Sequence, residues 1–180
     1  EGRRTEKKSL ADAVVNPHQQ DCGYPYKELC GAGVAWNVIR VLYENYDMDK
    51  REAEDLLDFV AMATVCDVMS LTGENRILVK EGLKRIRHTK NIGLQALMQA
   101  CNVQPENISA YHFGYVLGPC VNATGRLDTA RHALRLFETG QETEAEEIAR
   151  DLVDLNQERK ELTLQGVEMA KKLCEEGGYE

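Results

Sequence analysis

From Thr143 to Glu176 the chain contains no proline, and its only glycine is Gly166. Ala145, Ile148, Leu152, Leu155, Leu162, Val167 and Leu173 recur at roughly helical spacing across this run. Thr143 with Glu146 reads as a capping box at its start. The pattern predicts one helix of about 30 residues, ~45 Å long at 1.5 Å per residue. A rod of that length does not fit inside a small globule. It must project, bridging to another domain or subunit with its acidic face in water.

Upstream, helical patterns also dominate. Residues 31–46 place Val34, Val38, Val41 and Leu42 on one face, and Gly31, Ala32, Gly33 and Ala35 allow close packing at the start. Asp49 with Glu52 forms a capping box ahead of a helix carrying Leu56, Leu57, Val60, Ala63 and Thr64. After the break at LTGEN, a helix is expected from about Glu74 to Arg87, with Ile77, Leu78, Gly82, Leu83 and Ile86 inward. Asn91 caps a short helix. ISAYHFGYVLGP predicts another, stopped near Gly118-Pro119, and Asp128 caps a further one that Gly140 ends. The one strand expected is the short apolar run ADAVVNP, closed by Pro17.

Composition bounds the function. With 43% hydrophobic and 29% charged residues, the 180-residue chain can bury a core, which rules out general disorder. No apolar run approaches the ~20 residues that cross a bilayer, and no signal-peptide pattern opens the chain. The net charge is −8, and the last 45 residues carry all of that excess, with 5 basic and 13 acidic groups. A global attraction to nucleic acid is excluded, whereas a local cationic site is not. The 6 cysteines include no C-x-x-C pair, so they read as free thiols of a reducing cytoplasm. No Ser-His-Asp order, phosphate-binding P-loop or G-x-G-x-x-G occurs.

Three features can carry chemistry. Asp67 lies in the apolar run MATVCDVMSL, where burying a carboxylate costs several kcal/mol unless a cation or donors compensate it. A metal ion, a structural salt bridge, or an outward position at a helix end would each account for it. In LGPCVNATGRLDTA, the residues Asn122, Thr124 and Arg126 present an amide, a hydroxyl and a guanidinium beside a helix start. A guanidinium fork suits phosphate, and an ordinary capped loop is the alternative. In KEGLKRIRHTK, the cations Lys80, Lys84, Arg85, Arg87 and Lys90 follow either a nucleic-acid backbone or simply a solvated helix face.

Four phrases then occur in order: ADAVVNPHQ, YPYKELCGAGVAW, MATVCDVMSLTGENRILVKEGL and LGPCVNATGRLDTA. Together, over roughly residues 11–160, they resemble the RecJ-type single-strand-specific exonucleases of the DHH phosphoesterase superfamily. The resemblance implies degradation of single-stranded DNA from the 5′ end in repair and recombination, with Mn²⁺ or Mg²⁺ as cofactor. It assigns Asp67 as a catalytic metal ligand. It matches the phosphate motif R-x-N-A-x-G-R to CVNATGR, so Asn122, Gly125 and Arg126 carry over. Cys120 stands where the first arginine would be. Lys80, Lys84 and Arg87 become candidate contacts to the DNA backbone.

The Asp-His-His that names the superfamily is not in this sequence, so the chain reads as an internal fragment that is inactive alone and holds no metal tightly. The expected fold is mainly α: the helical part of a DHH-type α/β catalytic domain (residues 1–140) with one short residual strand, then a long connecting helix (141–180). Self-association through apolar surface on residues 11–16 and the first helix is also expected. Two other readings stand beside this one. One is a DHH phosphodiesterase of short oligonucleotides or cyclic dinucleotides; the other is a non-catalytic RecJ-like scaffold.

Overall fold

A computed structural model describes residues 11–123 and 127–177. Helices make up its regular structure: α1 (Gly31–Asn45), α2 (Lys50–Asp55), α3 (Leu57–Cys66), α4 (Gly73–Arg85), α5 (Ile92–Ala100), α6 (Ala110–His112), α7 (Gly118–Asn122), α8 (Leu127–Glu138) and α9 (Glu142–Gly177). No strand occurs among the described residues. This corrects the expected strand: residues 11–16 are exposed, irregular backbone. An apolar run becomes a strand only where another strand takes its N–H and C=O groups, and none is present there.

Helix α3 packs closely along α4. Gly82 makes it possible, because a β-carbon there would lie 2.2 Å from the Leu57 carbonyl oxygen. Helices α5 and α8 pack on the first turns of α9. Phe113, Ile86, Leu94, Leu97, Leu117, Leu136 and Leu152 are fully buried in this main core. Each such side chain contributes about 1.5–3 kcal/mol by leaving water. Phe59 and Phe137 meet edge to face across it, with ring centroids 5.2 Å apart. A second, smaller cluster of Leu29, Leu57, Val60 and Leu78 carries Tyr24, Tyr26, Val34 and Trp36 on its flank.

Several boundaries differ from the sequence expectation. The helix from Asp49 breaks at Leu56 into α2 and α3; Asp49 caps the backbone of Arg51, while Glu52 turns to the Tyr43 hydroxyl. Asn91 caps α5 as expected, accepting from Leu94 N at 2.9 Å. Ile77, expected inward, is 63% exposed, and Val79 is buried in its place. Gly118-Pro119 does not stop the helix. Phe113–Leu117 form a π-helical turn joining α6 to α7, and the widened turn accommodates a proline that lacks an N–H.

The long helix is present and runs for 36 residues, starting one residue before Thr143. Ala145, Ile148, Ala149, Leu152 and Asn156 are buried, and every residue from 157 to 177 is exposed. About six turns therefore stand clear of the body. No helix among the described residues is long and apolar enough to cross a membrane.

Candidate functional site

Helix α3 ends at Cys66 in a complete C-terminal hydrogen-bond motif. Met69 N donates to Thr64 O at 3.1 Å and Val68 N donates to Val65 O at 3.0 Å. That motif needs a left-handed residue after the cap, and the residue is Val68, at φ 55°. A β-branched side chain in that region is strained by roughly 1–2 kcal/mol. Val68 gains no packing in return, being 89% exposed.

The turn aims Asp67 outward. Asp67 is the C-cap of α3 and its side chain is exposed. This corrects the premise that it is a buried acid needing compensation. The helix ends one residue before it, so the apolar stripe of α3 does not include it. Its carboxylate makes no hydrogen bond or ion pair with the described residues.

The buried acid of this region is instead Asp58, 3% exposed at the start of α3. It accepts from Thr89 Oγ1 at 2.7 Å and from Phe59 N at 2.7 Å. Burial raises its pKa, and these two hydrogen bonds hold it partly down. Asp58 joins α3 to the segment after α4, and nothing about it points to a ligand.

The loop after Asp67 is clamped from the YPY segment. Tyr26 donates to Thr72 O at 2.8 Å, and Tyr24 donates to Glu74 Oε2 at 2.8 Å. Asn75, fully buried, donates to the carbonyls of Glu28 and Ser70 at 2.6 and 3.0 Å. Its Oδ1 has no partner among the described residues. The phrases YPYKE and LTGEN, distant in sequence, are thus two sides of one clamp that sets the backbone around Asp67.

Helix α7 approaches the same end of α3. A β-carbon on Gly118 would lie 2.4 Å from Cys66 Sγ, and one on Gly114 3.4 Å from Val65 Cγ1. Cys66 Sγ lies 3.4 Å from Phe113 O. Burial pushes the Cys66 thiol up to about 11, so it stays a neutral packing group. Asn122, exposed, is the last residue of α7. Asp67 and Asn122 are therefore carried by two helices in direct contact. Gly125 and Arg126, the other phosphate-motif residues, lie outside the described residues, as does the side chain of Asp128.

The basic run is sorted by the fold. Arg85 pairs with Glu54 and Asp55, and Lys90 pairs with Asp55 at 3.2 Å. Arg76, Lys80 and Lys84 on α4, with Arg87 in the 3-10 turn after it, line a shallow cleft together with Leu71, Val79 and Leu83. Lys84 bonds Glu81 at 2.7 Å. Arg76, Lys80 and Arg87 make no ion pair among the described residues. Arg76 was readable by helical spacing, one turn before Lys80, and is the stripe member that the basic run alone does not include.

A divalent cation such as Mg²⁺ takes about six oxygen ligands. Among the described residues no three His, Cys, Asp or Glu side chains gather to hold a metal. Asp67 fits as one hard ligand; the described residues alone do not make a site.

No family model matches the chain. Similar proteins nonetheless exist. The single-stranded-DNA-specific exonuclease RecJ of Haemophilus influenzae is 38% identical over 174 residues, covering 92% of this chain and 30% of the relative. RecJ of Bacillus subtilis is 33% identical over 168 residues, covering 93% and 21%. A crystal structure of exonuclease RecJ bound to manganese superposes with a TM-score of 0.73 at 34% identity, covering 85% of this chain and 38% of that one. RecJ from Thermus thermophilus in complex with Mg²⁺ gives 0.71 at 34% identity, covering 83% and 23%. The chain thus spans about 30% of the length of the first of these relatives. With homology along nearly its whole length and the same helical arrangement, this chain belongs to the RecJ family of single-stranded-DNA-specific exonucleases.

Proposed function

We propose that the chain supplies one wall of the active site of a metal-dependent, cytoplasmic exonuclease that hydrolyses single-stranded DNA from the 5′ end in repair and recombination. The observation that carries this is the contact of Gly118 with Cys66, which sets the helix ending at Asn122 against the turn that presents Asp67. One side offers an open carboxylate and the other leads into the phosphate motif. Asn122, Gly125 and Arg126 are assigned to the scissile phosphate, where a guanidinium fork and an amide orient its oxygens. Lys80, Lys84 and Arg87, with Arg76, are assigned to the DNA backbone leading away from it.

Mn²⁺ or Mg²⁺, as in the relatives crystallised with them, would supply an activated water and charge neutralisation at the phosphate. Asp67 is assigned to that ion, with its other ligands outside the described residues. Residues 1–140 form the catalytic part, and 141–180 form the helix that connects it onward. The chain alone is then inactive and binds Mn²⁺ weakly.

The test uses 5′-labelled long single-stranded DNA and a dinucleotide, each with Mn²⁺. The full-length protein should release 5′-terminal nucleotides from the long strand, while the 180-residue chain releases none. Preference for the dinucleotide would replace this reading with that of a short-oligonucleotide phosphodiesterase. Tight stoichiometric Mn²⁺ binding to the 180-residue chain, by calorimetry, would contradict the assignment of missing ligands.

An apolar groove lined by Val15, Pro17, Leu29, Val34, Val38 and Leu42, of about 430 Å³, supports self-association of the chain. A monomer by light scattering at high concentration would count against it.

A further inference from the structure

Two cysteines from different helices meet where the phosphate motif begins. Sγ of Cys101, the C-cap of α5, lies 3.8 Å from Sγ of Cys120 in α7. Cys120 is 3% exposed, and Cys101 is the member that meets solvent. The surroundings of Cys120 are polar and ordered. Asn156 Nδ2 donates to its sulfur at 3.5 Å, and Asn156 is itself 5% exposed. Arg159 Nη2 donates to Asn156 Oδ1 at 2.9 Å, which fixes the amide with its NH₂ toward the sulfur. The Val116 carbonyl lies 3.2 Å away and accepts the thiol when it is protonated. A cysteine that only fills space needs no buried amide held against it by an arginine.

We infer that Cys101 and Cys120 form a reversible dithiol–disulfide site, with Cys120 the attacking sulfur and a hydroperoxide the oxidant. The hydrogen bond from Cys101 lowers the Cys120 thiol most; burial opposes this, and Asn156, Lys160 and Arg159 lower it further. Cys101 moves the opposite way, raised by that same hydrogen bond and by burial. The thiolate is the reactive form, so the asymmetry selects the nucleophile. The burial of Cys120 excludes bulky oxidants and favours one close to the size of water.

In the first step the Cys120 thiolate attacks one peroxide oxygen. An S–O bond forms, the O–O bond breaks and hydroxide leaves, giving a sulfenic acid. The Cys101 sulfur then attacks Cys120, losing its proton as the S–O bond breaks, and water departs. Two thiols have been oxidised and one peroxide reduced to two waters. The sulfurs must close by roughly 2 Å to reach bonding distance. The product ties the end of α5 to the helix that ends at Asn122. This chemistry is independent of the nuclease assignment.

The test treats the reduced 180-residue chain with hydrogen peroxide and reads its intact mass before and after dithiothreitol. The expected result is a loss of two hydrogens that dithiothreitol reverses. No Lys or Arg lies between Lys90 and Arg126, so trypsin leaves both cysteines in one peptide. Chymotrypsin, which cuts at Tyr111, Phe113 and Tyr115, separates them and should yield a crosslinked pair. In Cys101→Ser, Cys120 should stop at the sulfenic acid and be captured by dimedone. A crosslink that omits either cysteine overturns the proposal, as does peroxide adding oxygen to wild-type Cys120 without any crosslink. Should Cys101→Ser fail to fold by circular dichroism, the wild-type map alone decides.

Discussion

The ring of Tyr26 occupies the space that a side chain on Gly73 would need: an added β-carbon would lie 2.6 Å from Tyr26 Cε2. Gly73 also has a φ of 48°, in the left-handed region. Both facts bear on the loop after Asp67, because Tyr26 donates to Thr72 O at the same place. Gly73→Ala should destabilise the chain by about 2–3 kcal/mol, from backbone strain and overpacking together. Tyr26→Phe should cost about 1 kcal/mol, one hydrogen bond. Urea unfolding midpoints at fixed pH check both, and equal losses would refute the steric account.

Val68 is the opposite case, a residue whose present side chain is the problem. Its φ of 55° completes the cap of α3, and its side chain is 89% exposed. Val68→Gly removes the left-handed strain and loses little packing. The variant should gain about 1 kcal/mol, less than the full strain because glycine loses more entropy on folding. A thermal melt decides the sign; a loss of stability would mean the valine makes contacts that the fold does not account for. Strain kept beside a candidate catalytic acid fits a turn selected for where it aims Asp67 rather than for stability.

How much was legible in the sequence follows from what each signal measures. Helical spacing reports a buried stripe, so α5 with its Asn91 cap and the long α9 were readable. Spacing does not report where a helix stops. MATVCDVMSL is apolar on both sides of Asp67, yet the stop at Cys66 turns that acid outward. Asp58, flanked by Leu56-Leu57 and Phe59-Val60, is the acid that ends up buried. The π-helical turn before Pro119 was not legible, because proline ordinarily signals a stop and only the packing of Gly118 on Cys66 shows why the helix continues. The strand at residues 11–16 failed because pairing is a property of two segments, only one of which the run describes.

Asp58 makes stability depend on pH. Its folded pKa lies above the ordinary 3.8, chiefly from burial. Between the unfolded and folded values the native state binds the proton more tightly, so stability falls as pH rises through that window. The contribution is fully present below the unfolded value and lost above the folded one. Asp58→Asn should flatten this decline while keeping the acceptor for Phe59 N. Unfolding free energies across the acidic range measure it, and an unchanged slope would show that another group carries the dependence.

The cationic stripe on α4 and the turn after it makes a prediction about salt. Arg76, Lys80 and Arg87 lack ion pairs among the described residues, whereas Arg85 and Lys90 are held by Asp55. Lys80→Ala and Arg87→Ala should each reduce the salt dependence of single-stranded DNA binding, by roughly 0.7 in log–log slope per lost phosphate contact. Lys90→Ala should leave it unchanged. Fluorescence anisotropy of labelled oligothymidine over a salt series checks this. Equal effects from all three variants would reduce the stripe to a general solvated face.

Asp67 allows a clean separation of structure from chemistry. It is exposed, makes no bond to the described residues, and sits at a helix C-terminus, where the helix dipole disfavours a negative charge. Asp67→Asn should therefore leave stability unchanged or raise it by up to about 0.5 kcal/mol. A metal ligand behaves differently in function. On the proposed reading, the same substitution in the full-length protein should lower Mn²⁺-dependent hydrolysis by more than the about 10–100-fold that loss of an outer-shell partner costs. Stability is read by urea unfolding of the 180-residue chain, and activity by release of 5′ label from the full-length protein. Unchanged activity would remove Asp67 from the metal site. A large loss of stability would show that the acid serves the fold, through a contact outside the described residues. Only unchanged or slightly raised stability together with lost hydrolysis supports a carboxylate whose exposure serves a ligand.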